Sequence, residues 1–312
     1  MRKIISIHIV LILYLLLFSV ALAHSHGHHE EEQQQHHEKE HQHHEKGQQH
    51  QQGILLVTFG SSYPQAQAAF DNIEARAQDA FPEKDLHWAY TSHMVRKKLA
   101  KEGIDLDSPV QALANMMEQG YTHVAVQSLH TIPGAEFHDL RQVVGAFRSM
   151  PGDLEHIQLG YPLLSSDHDL QEVSQALLQN IPRDRGSKEA VIFLGHGTHH
   201  PSNAFYNALA CELQQQDPLS YMGTVHDTSS LEGIIHDLQD QGVQKAYLMP
   251  FMSVAGDHVR NDMAGDDPDS LKSLLQKVGI DSESILKGTA EYDNIVDIWL
   301  EHLEKAYSDL EH

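Results

Sequence analysis

The chain has 312 residues, with 44 acidic against 21 basic residues, 26 histidines and one cysteine. A net charge of −23 at pH 7 excludes nucleic acid and anionic membrane surfaces as partners, and it favours cationic ligands. The lone thiol, Cys211, excludes an internal disulfide and gives no support to thiolate metal chemistry. Residues 1–23 carry Arg2 and Lys3, then an apolar stretch, then Ala21-Leu22-Ala23. A basic start, an apolar middle and a small-x-small end predict a secretory signal peptide cut before His24, hence an exported, periplasmic protein. An uncleaved anchor is the alternative reading of the same stretch, and no later segment is apolar enough to span a bilayer.

Residues 24–52 follow as a tract of His, Glu and Gln containing ten histidines: 24, 26, 28, 29, 36, 37, 41, 43, 44 and 50. With almost no apolar residue to bury, the tract is expected to be disordered, and imidazole at this density chelates borderline divalent metals. Six of the acids and four of the bases lie before residue 53, leaving 38 and 17 for the remainder, a net charge near −21.

From residue 53 onward, short apolar runs alternate with amphipathic stretches. Strands are expected at 54–59, 86–90, 123–128, 157–159, 190–194, 222–225, 246–249 and 284–287. Helices are expected at 65–80, 93–101, 109–119, 136–147, 169–180, 203–216, 231–241, 268–278 and 294–307. This alternation predicts an α/β fold with parallel sheets covered on both faces. The composition of 182–187 (PRDRGS) suits a linker, dividing an N-terminal lobe (53–181) from a C-terminal lobe (187–312).

The halves resemble each other. VTFGSSYPQAQAAF (57–70) parallels IFLGHGTHHPSNAF (192–205), pairing Gly60 with Gly195 at an offset of 135. VQSLHTIPGAEFHD (126–139) parallels LMPFMSVAGDHVRND (248–262); setting Gly134 against Gly256 places Glu136 opposite His258 and His138 opposite Arg260. A duplicated unit brings equivalent loops at the carboxyl ends of the strands face to face across a cleft, where open α/β sheets bind ligands.

The candidates for chemistry sit in those loops. His196 lies in GHGTHH (195–200) between a strand and a helix, flanked by glycines that open space beside it, and His199 and His200 are weaker candidates. His258 is the polar group of an otherwise apolar loop that includes Phe251 and Met252, and His226 follows the strand at 222–225. Glu136 would add a carboxylate to the same cleft. His and carboxylate together bind a borderline dication and accept protons. His130 and His138 flank Glu136, and His138 is the candidate axial ligand if a haem binds. Trp88 and Trp299 read as core. No phosphate loop or nucleophile elbow is present in the sequence, so no nucleotide cofactor is expected.

Four segments carry a family resemblance: LLVTFGSSYPQA (55–66), QSLHTIPGAEF (127–137), the strand with GHGTHH (195–200), and MPFMSVAGDHVRNDMAGDD (249–267). From about Gly53 to the C-terminus the chain resembles the anaerobic-type sirohydrochlorin cobaltochelatases, class II tetrapyrrole chelatases related in fold to ferrochelatase. The resemblance implies two flavodoxin-like lobes with a tetrapyrrole between them, ATP-independent insertion of Co2+ (or Fe2+) into sirohydrochlorin in cobalamin synthesis, and exported members. It also implies that His196 and His258 bind metal and accept protons, and that Glu136 is the pocket glutamate. Some relatives carry an acidic ligand where this chain has His226, which leaves the third ligand open between Glu136 and His226. Two other readings compete: a periplasmic metal-binding or delivery protein, and a haem or tetrapyrrole carrier. Homo-oligomerisation is left open.

Overall fold

Two four-stranded sheets, each wholly parallel, organise the computed structural model, in which residues 50–152 and 154–310 are described. The expected leader (1–23) and all but the last residues of the His-rich tract (24–52) lie outside them. In the first sheet β1 (Gln52–Thr58) pairs with β2 (Asp85–Tyr90) and β3 (His123–Ser128), and β3 pairs with β4 (His156–Gly160). In the second, β5 (Glu189–Gly195) pairs with β6 (Ser220–Thr224) and β7 (Lys245–Phe251), and β7 pairs with β8 (Asp281–Ser284). The orders β2-β1-β3-β4 and β6-β5-β7-β8 are the same topology twice. That is the duplicated α/β architecture expected from the sequence.

The helices are α1 (Gln67–Ala80), α2 (His93–Ala100), α3 (Pro109–Glu118), α4 (Ala135–Arg148) and α5 (Asp167–Gln179) in the first half. In the second half they are α6 (Ala204–Gln216), α7 (Thr228–Asp240), α8 (Leu271–Lys277) and α9 (Asp293–Ser308). Many starts follow from local chemistry: Ser92, Ser108, Ser166, Asp227 and Ser270 each accept a backbone N–H of the first turn through the side chain. Gln111 closes a capping box with Ser108.

Strand side chains alternate between faces, and both faces are buried. Leu55 and Val57 join Leu113, Met116, Leu140 and Val144 on one side of the first sheet. Ile192 and Leu194 join Leu231, Leu238, Leu271 and Leu275 on one side of the second. The alternate residues, Ile54 and Leu56 of β1 with Val191 and Phe193 of β5, belong to a single apolar cluster common to both sheets. α9 supplies Ile295, Val296, Ile298, Trp299 and Leu303 to that cluster. The expected lobe 187–312 would keep this helix with the second sheet, but α9 lies against β3, β4, α1 and α5 of the first. Its apolar stripe packs into the cluster common to both sheets, and Trp299, fully buried, donates its indole N–H to the carbonyl of His130 at 3.2 Å. Arg76 of α1 pairs with Asp297, and Asn72 donates to the carbonyl of Ala290 at 3.0 Å.

Local differences from the sequence reading have simple causes. The last strand falls at 281–284 rather than 284–287, because it is a polar edge strand paired on one side only and its apolar residues come after it. Prolines turn the starts of the helices expected at 65–80 and 203–216 into 3-10 turns, Pro64–Ala66 and Pro201–Asn203. Those turns stand 137 residues apart, and Gly60 (φ 92°) therefore corresponds to Gly197 (φ 76°), not to Gly195. The other pairing holds: the N–H of Gly134 bonds Ile132 O and that of His138 bonds Gly134 O, just as Gly256 bonds Val254 O and Arg260 bonds Gly256 O. Trp88, on the edge strand β2, is only partly buried.

His130 follows β3, with its ring near the hydroxyls of Ser128 (2.8 Å) and Thr91 (3.4 Å). Burial pushes this imidazole down to about 4 from an ordinary 6.5. The unfolded chain takes up a proton there as pH falls through 6.5 while the folded protein does not, so stability drops between about pH 6.5 and 4. Urea unfolding midpoints measured across that window are expected to fall with pH, and a His130→Gln variant is expected to show a shallower slope.

Candidate metal and proton-acceptor site

Three loops at the carboxyl ends of β5, β6 and β7 bring three histidines together. After β5 the chain must turn hard against its neighbours. A Cβ on Gly195 would stand 2.4 Å from the Tyr206 ring, and one on Gly197 would stand 2.8 Å from Thr224 in a backbone conformation that L side chains rarely adopt. Only glycine fits either place, and His196 is projected between them. The end of β6 is tied to the same loop, with Val225 N–H bonding Gly195 O at 3.0 Å and His226 N–H bonding His196 O at 3.3 Å. His258 enters from the third loop, immediately before a π-helical turn, Val259–Met263. Such turns recur at functional sites.

The ring centroids of His196 and His226 are 4.7 Å apart, those of His196 and His258 4.5 Å, and those of His226 and His258 6.4 Å. The nitrogens can be accounted for one by one. His196 Nδ1 lies 2.9 Å from the carbonyl of Gly197, which can only accept, so Nδ1 carries hydrogen. His258 Nδ1 lies 2.6 Å from Asp262 Oδ2 and donates to that carboxylate. Both Nε2 atoms are then unprotonated in the neutral rings, yet they face each other at 3.1 Å. Two lone pairs at that distance repel unless a positive species stands between them. A proton satisfies the pair; so does a dication, since bonds of about 2.0–2.1 Å to both nitrogens need only an angle of roughly 100°.

His226 completes the group. Its pKa is lowered, first by desolvation and then by the fields of His196, His258 and His199, with Asp262 opposing. A lowered value keeps this ring neutral, the form that binds metal, below the pH at which a free histidine would charge. His196 and His226 remain exposed, so ions and ligands reach them from solvent.

The other sequence candidates fall around this centre. Glu136 is exposed in the first turn of α4 and acts electrostatically on Tyr206, the residue packed under Gly195. Among the described contacts it touches none of the three histidines. His199 lies 6.0 Å from His226, ring to ring. His138, the candidate haem ligand, packs edge-on against His200 at 4.8 Å. His200 itself bonds Ser202 and caps the Pro201 turn. Between Glu136 and His226 as third member of the cluster, proximity favours His226.

Two features escaped the sequence reading. Asp262, which orients His258, was visible as an i, i+4 His–Asp pair, a spacing that aligns side chains on any helical turn. The contact from the Tyr63 hydroxyl to Asp257, between residues 194 apart, had no local signal.

The family model for cobalt chelatase (CbiK) matches residues 52–308. A sirohydrochlorin cobaltochelatase of Nitratidesulfovibrio vulgaris is 43% identical over 259 residues, covering 83% of this chain and 92% of its own. One from Salmonella typhimurium is 39% identical, covering 81% and 95%. Among solved structures, the sirohydrochlorin chelatase SirB of Bacillus subtilis subspecies spizizenii in complex with cobalt superposes with a TM-score of 0.56 at 15% identity, over 84% of this chain and 97% of that one. That likeness speaks for the fold.

Replacing Asp262 by Asn would leave His258 a weaker partner and free its ring to turn. Titration of the purified protein with Co2+ is expected to show affinity lowered by about 10- to 100-fold in Asp262→Asn, the usual loss when an outer-shell carboxylate is removed.

Proposed function

The chain belongs to the cobalt chelatase (CbiK) family, and on that premise we propose that it inserts Co2+ into sirohydrochlorin, a step of cobalamin synthesis, at the His196–His226–His258 centre. The observation that carries the assignment is the pair of Nε2 atoms at 3.1 Å whose opposite nitrogens are both committed as donors. Such a pair holds one positive species and exchanges it readily.

Insertion replaces two pyrrole N–H protons of the macrocycle by one divalent ion. The centre must therefore present the ion and remove protons on the same face. Imidazoles do both: each Nε2 that releases the ion regains a lone pair able to take a proton. Asp262 supports the charge that then develops on His258, as a carboxylate does for any imidazolium it hydrogen-bonds. Glu136 stands at the matching position of the other half, the side from which a second proton acceptor would act. With His226 in place of an acidic ligand, the set is three neutral imidazoles, which suit borderline ions such as Co2+. No step calls for a nucleotide.

An absorbance time course with sirohydrochlorin and Co2+ tests the assignment. His196→Ala and His258→Ala are each expected to reduce conversion to the protein-free rate while the circular dichroism spectrum is unchanged. Conversion in either variant at the rate of the unaltered protein would remove the centre from the reaction.

We further propose that the protein is exported and that the tract at 24–52 gathers metal for the site. What supports this is the sequence alone: the basic, apolar and small-residue order of 1–23, and ten imidazoles in the tract that follows it. Deleting 24–50 is expected to slow insertion when Co2+ is limiting and to leave it unaltered at saturation; N-terminal sequencing of the secreted form should begin at His24. Equal rates at limiting Co2+ would argue against the gathering role.

A further inference from the structure

Near His258 stand two cations that neither metal binding nor proton transfer uses, Lys98 and Arg260. Tyr63, in the loop after β1, reaches across to Asp257 of the second half through its hydroxyl. Two cations, one from each half, stand at the Tyr63 ring. Lys98 Nζ, from α2 of the first half, lies 5.8 Å from the ring centroid, and Arg260 Cζ, from the π-helical turn of the second, also lies 5.8 Å from it. Lys98 also donates to Ser62 Oγ at 3.0 Å.

Their electrostatic company is unusual. The chain carries 44 acids to 21 bases, yet among the described residues neither Lys98 nor Arg260 is engaged in an ion pair. Arg260 Nε is buried and without a hydrogen-bond partner in the described structure. A buried guanidinium N–H left unpaired costs free energy, and the Asp257 carboxylate nearby is taken up by the Tyr63 hydroxyl and Asn261. Arginine presents its donors in a fork matched to a carboxylate, and lysine adds a mobile point charge. Arg260 stands two residues after His258, so an anion held there lies next to the metal-presenting loop.

We propose that Lys98 and Arg260, brought together across the cleft through Tyr63 and Asp257, form a clasp for carboxylate side arms of the tetrapyrrole and so fix its orientation beside His258. The proposal rests on the chelatase reading above, whose substrate is rich in carboxylates. It adds the residues that select and place an anionic macrocycle on an acidic protein. Both halves contribute a cation, so a carboxylate held there touches the two halves at once. Lys98 and Arg260 are positioning residues here; the histidines do the chemistry.

Initial rates of the full protein with Co2+ and sirohydrochlorin test it, using Lys98→Gln, Arg260→Ala, Arg260→Lys and the double variant Lys98→Gln/Arg260→Ala. Each loss of charge is expected to raise KM for sirohydrochlorin about tenfold, as for one charged hydrogen bond, with kcat altered far less and KM for Co2+ unmoved. Arg260→Lys, which keeps the charge and loses the fork, should recover only part of the loss, and the double variant should show the weakest dependence of KM on salt. An unchanged KM for sirohydrochlorin in Lys98→Gln, the exposed and structurally mild substitution, would overturn the clasp, as would a loss confined to kcat. If the unaltered protein gives no turnover, the chelatase reading fails instead, and the clasp is judged by fluorescence titration of sirohydrochlorin: weaker binding in the variants supports it and equal binding overturns it.

Discussion

The apolar cluster common to both sheets is the constraint on which the remaining structure depends. Ile54 and Leu56 from one sheet and Val191 and Phe193 from the other meet around Trp299, Ile295 and Leu303 of α9. Fully burying one large apolar side chain is worth about 1.5–3 kcal/mol, so a cluster of this size sets the two sheets in one arrangement. A helix that leaves β8 and packs on β3 and β4 makes the arrangement hard to change by sliding. The histidines need that rigidity less than the cleft does. His196, His226 and His258 all come from the second sheet, whereas Tyr63, Lys98 and Glu136 come from the first. Any ligand that touches both groups depends on the shared core for its geometry.

Within the second half, the site is decided by hydrogen-bond arithmetic more than by the mere proximity of three imidazoles. A carbonyl at Gly197 and a carboxylate at Asp262 each claim one nitrogen, and thereby dictate which nitrogen of each ring is left with a lone pair. Histidine clusters on protein surfaces are common; one in which the backbone and an acid pre-set both tautomers is prepared to exchange a proton for a metal ion. Asp262 and Asp257 come from the same short loop and turn, one bonded to His258 and the other to Tyr63 of the first half. The contact that orients His258 and a contact between the halves thus lie within a span of six residues.

Charge works at two scales. A net charge of −23 draws dications toward the protein as a whole. The same field would repel a polycarboxylate macrocycle unless the cleft edge were locally reversed. Lys98 and Arg260 supply that reversal with two residues, and cations on opposite halves make it conditional on geometry. Screening at physiological salt confines each effect to roughly 8 Å, so the acidic exterior and the basic edge coexist on one small molecule.

Much of this was legible in the residues themselves. Alternating apolar runs and amphipathic stretches were enough to place every strand and helix to within a few residues, because burial on two sheet faces and one helix face imposes periodicities that composition cannot hide. Glycines beside His196 marked a tight turn at a strand end, and the repeated Ala-Phe (69–70 and 204–205) and the PGAE/AGDH patterns marked the duplication. Other features were decided only in three dimensions. The offset between the halves moved from 135 to 137 because backbone conformation, not residue identity, pairs Gly60 with Gly197. α9 joined the first sheet because a packing partner is chosen by available surface, which the helix's own sequence does not encode. His226 came to stand beside His196 because the ends of β5 and β6 are hydrogen-bonded neighbours, whereas Glu136 opens α4 of the first half. Local chemistry thus determined which elements form and which side chains can bind or accept protons. Tertiary structure decided which of those side chains meet, since contact between residues 62 or 194 positions apart is set by how sheets stack and not by any pattern along the chain.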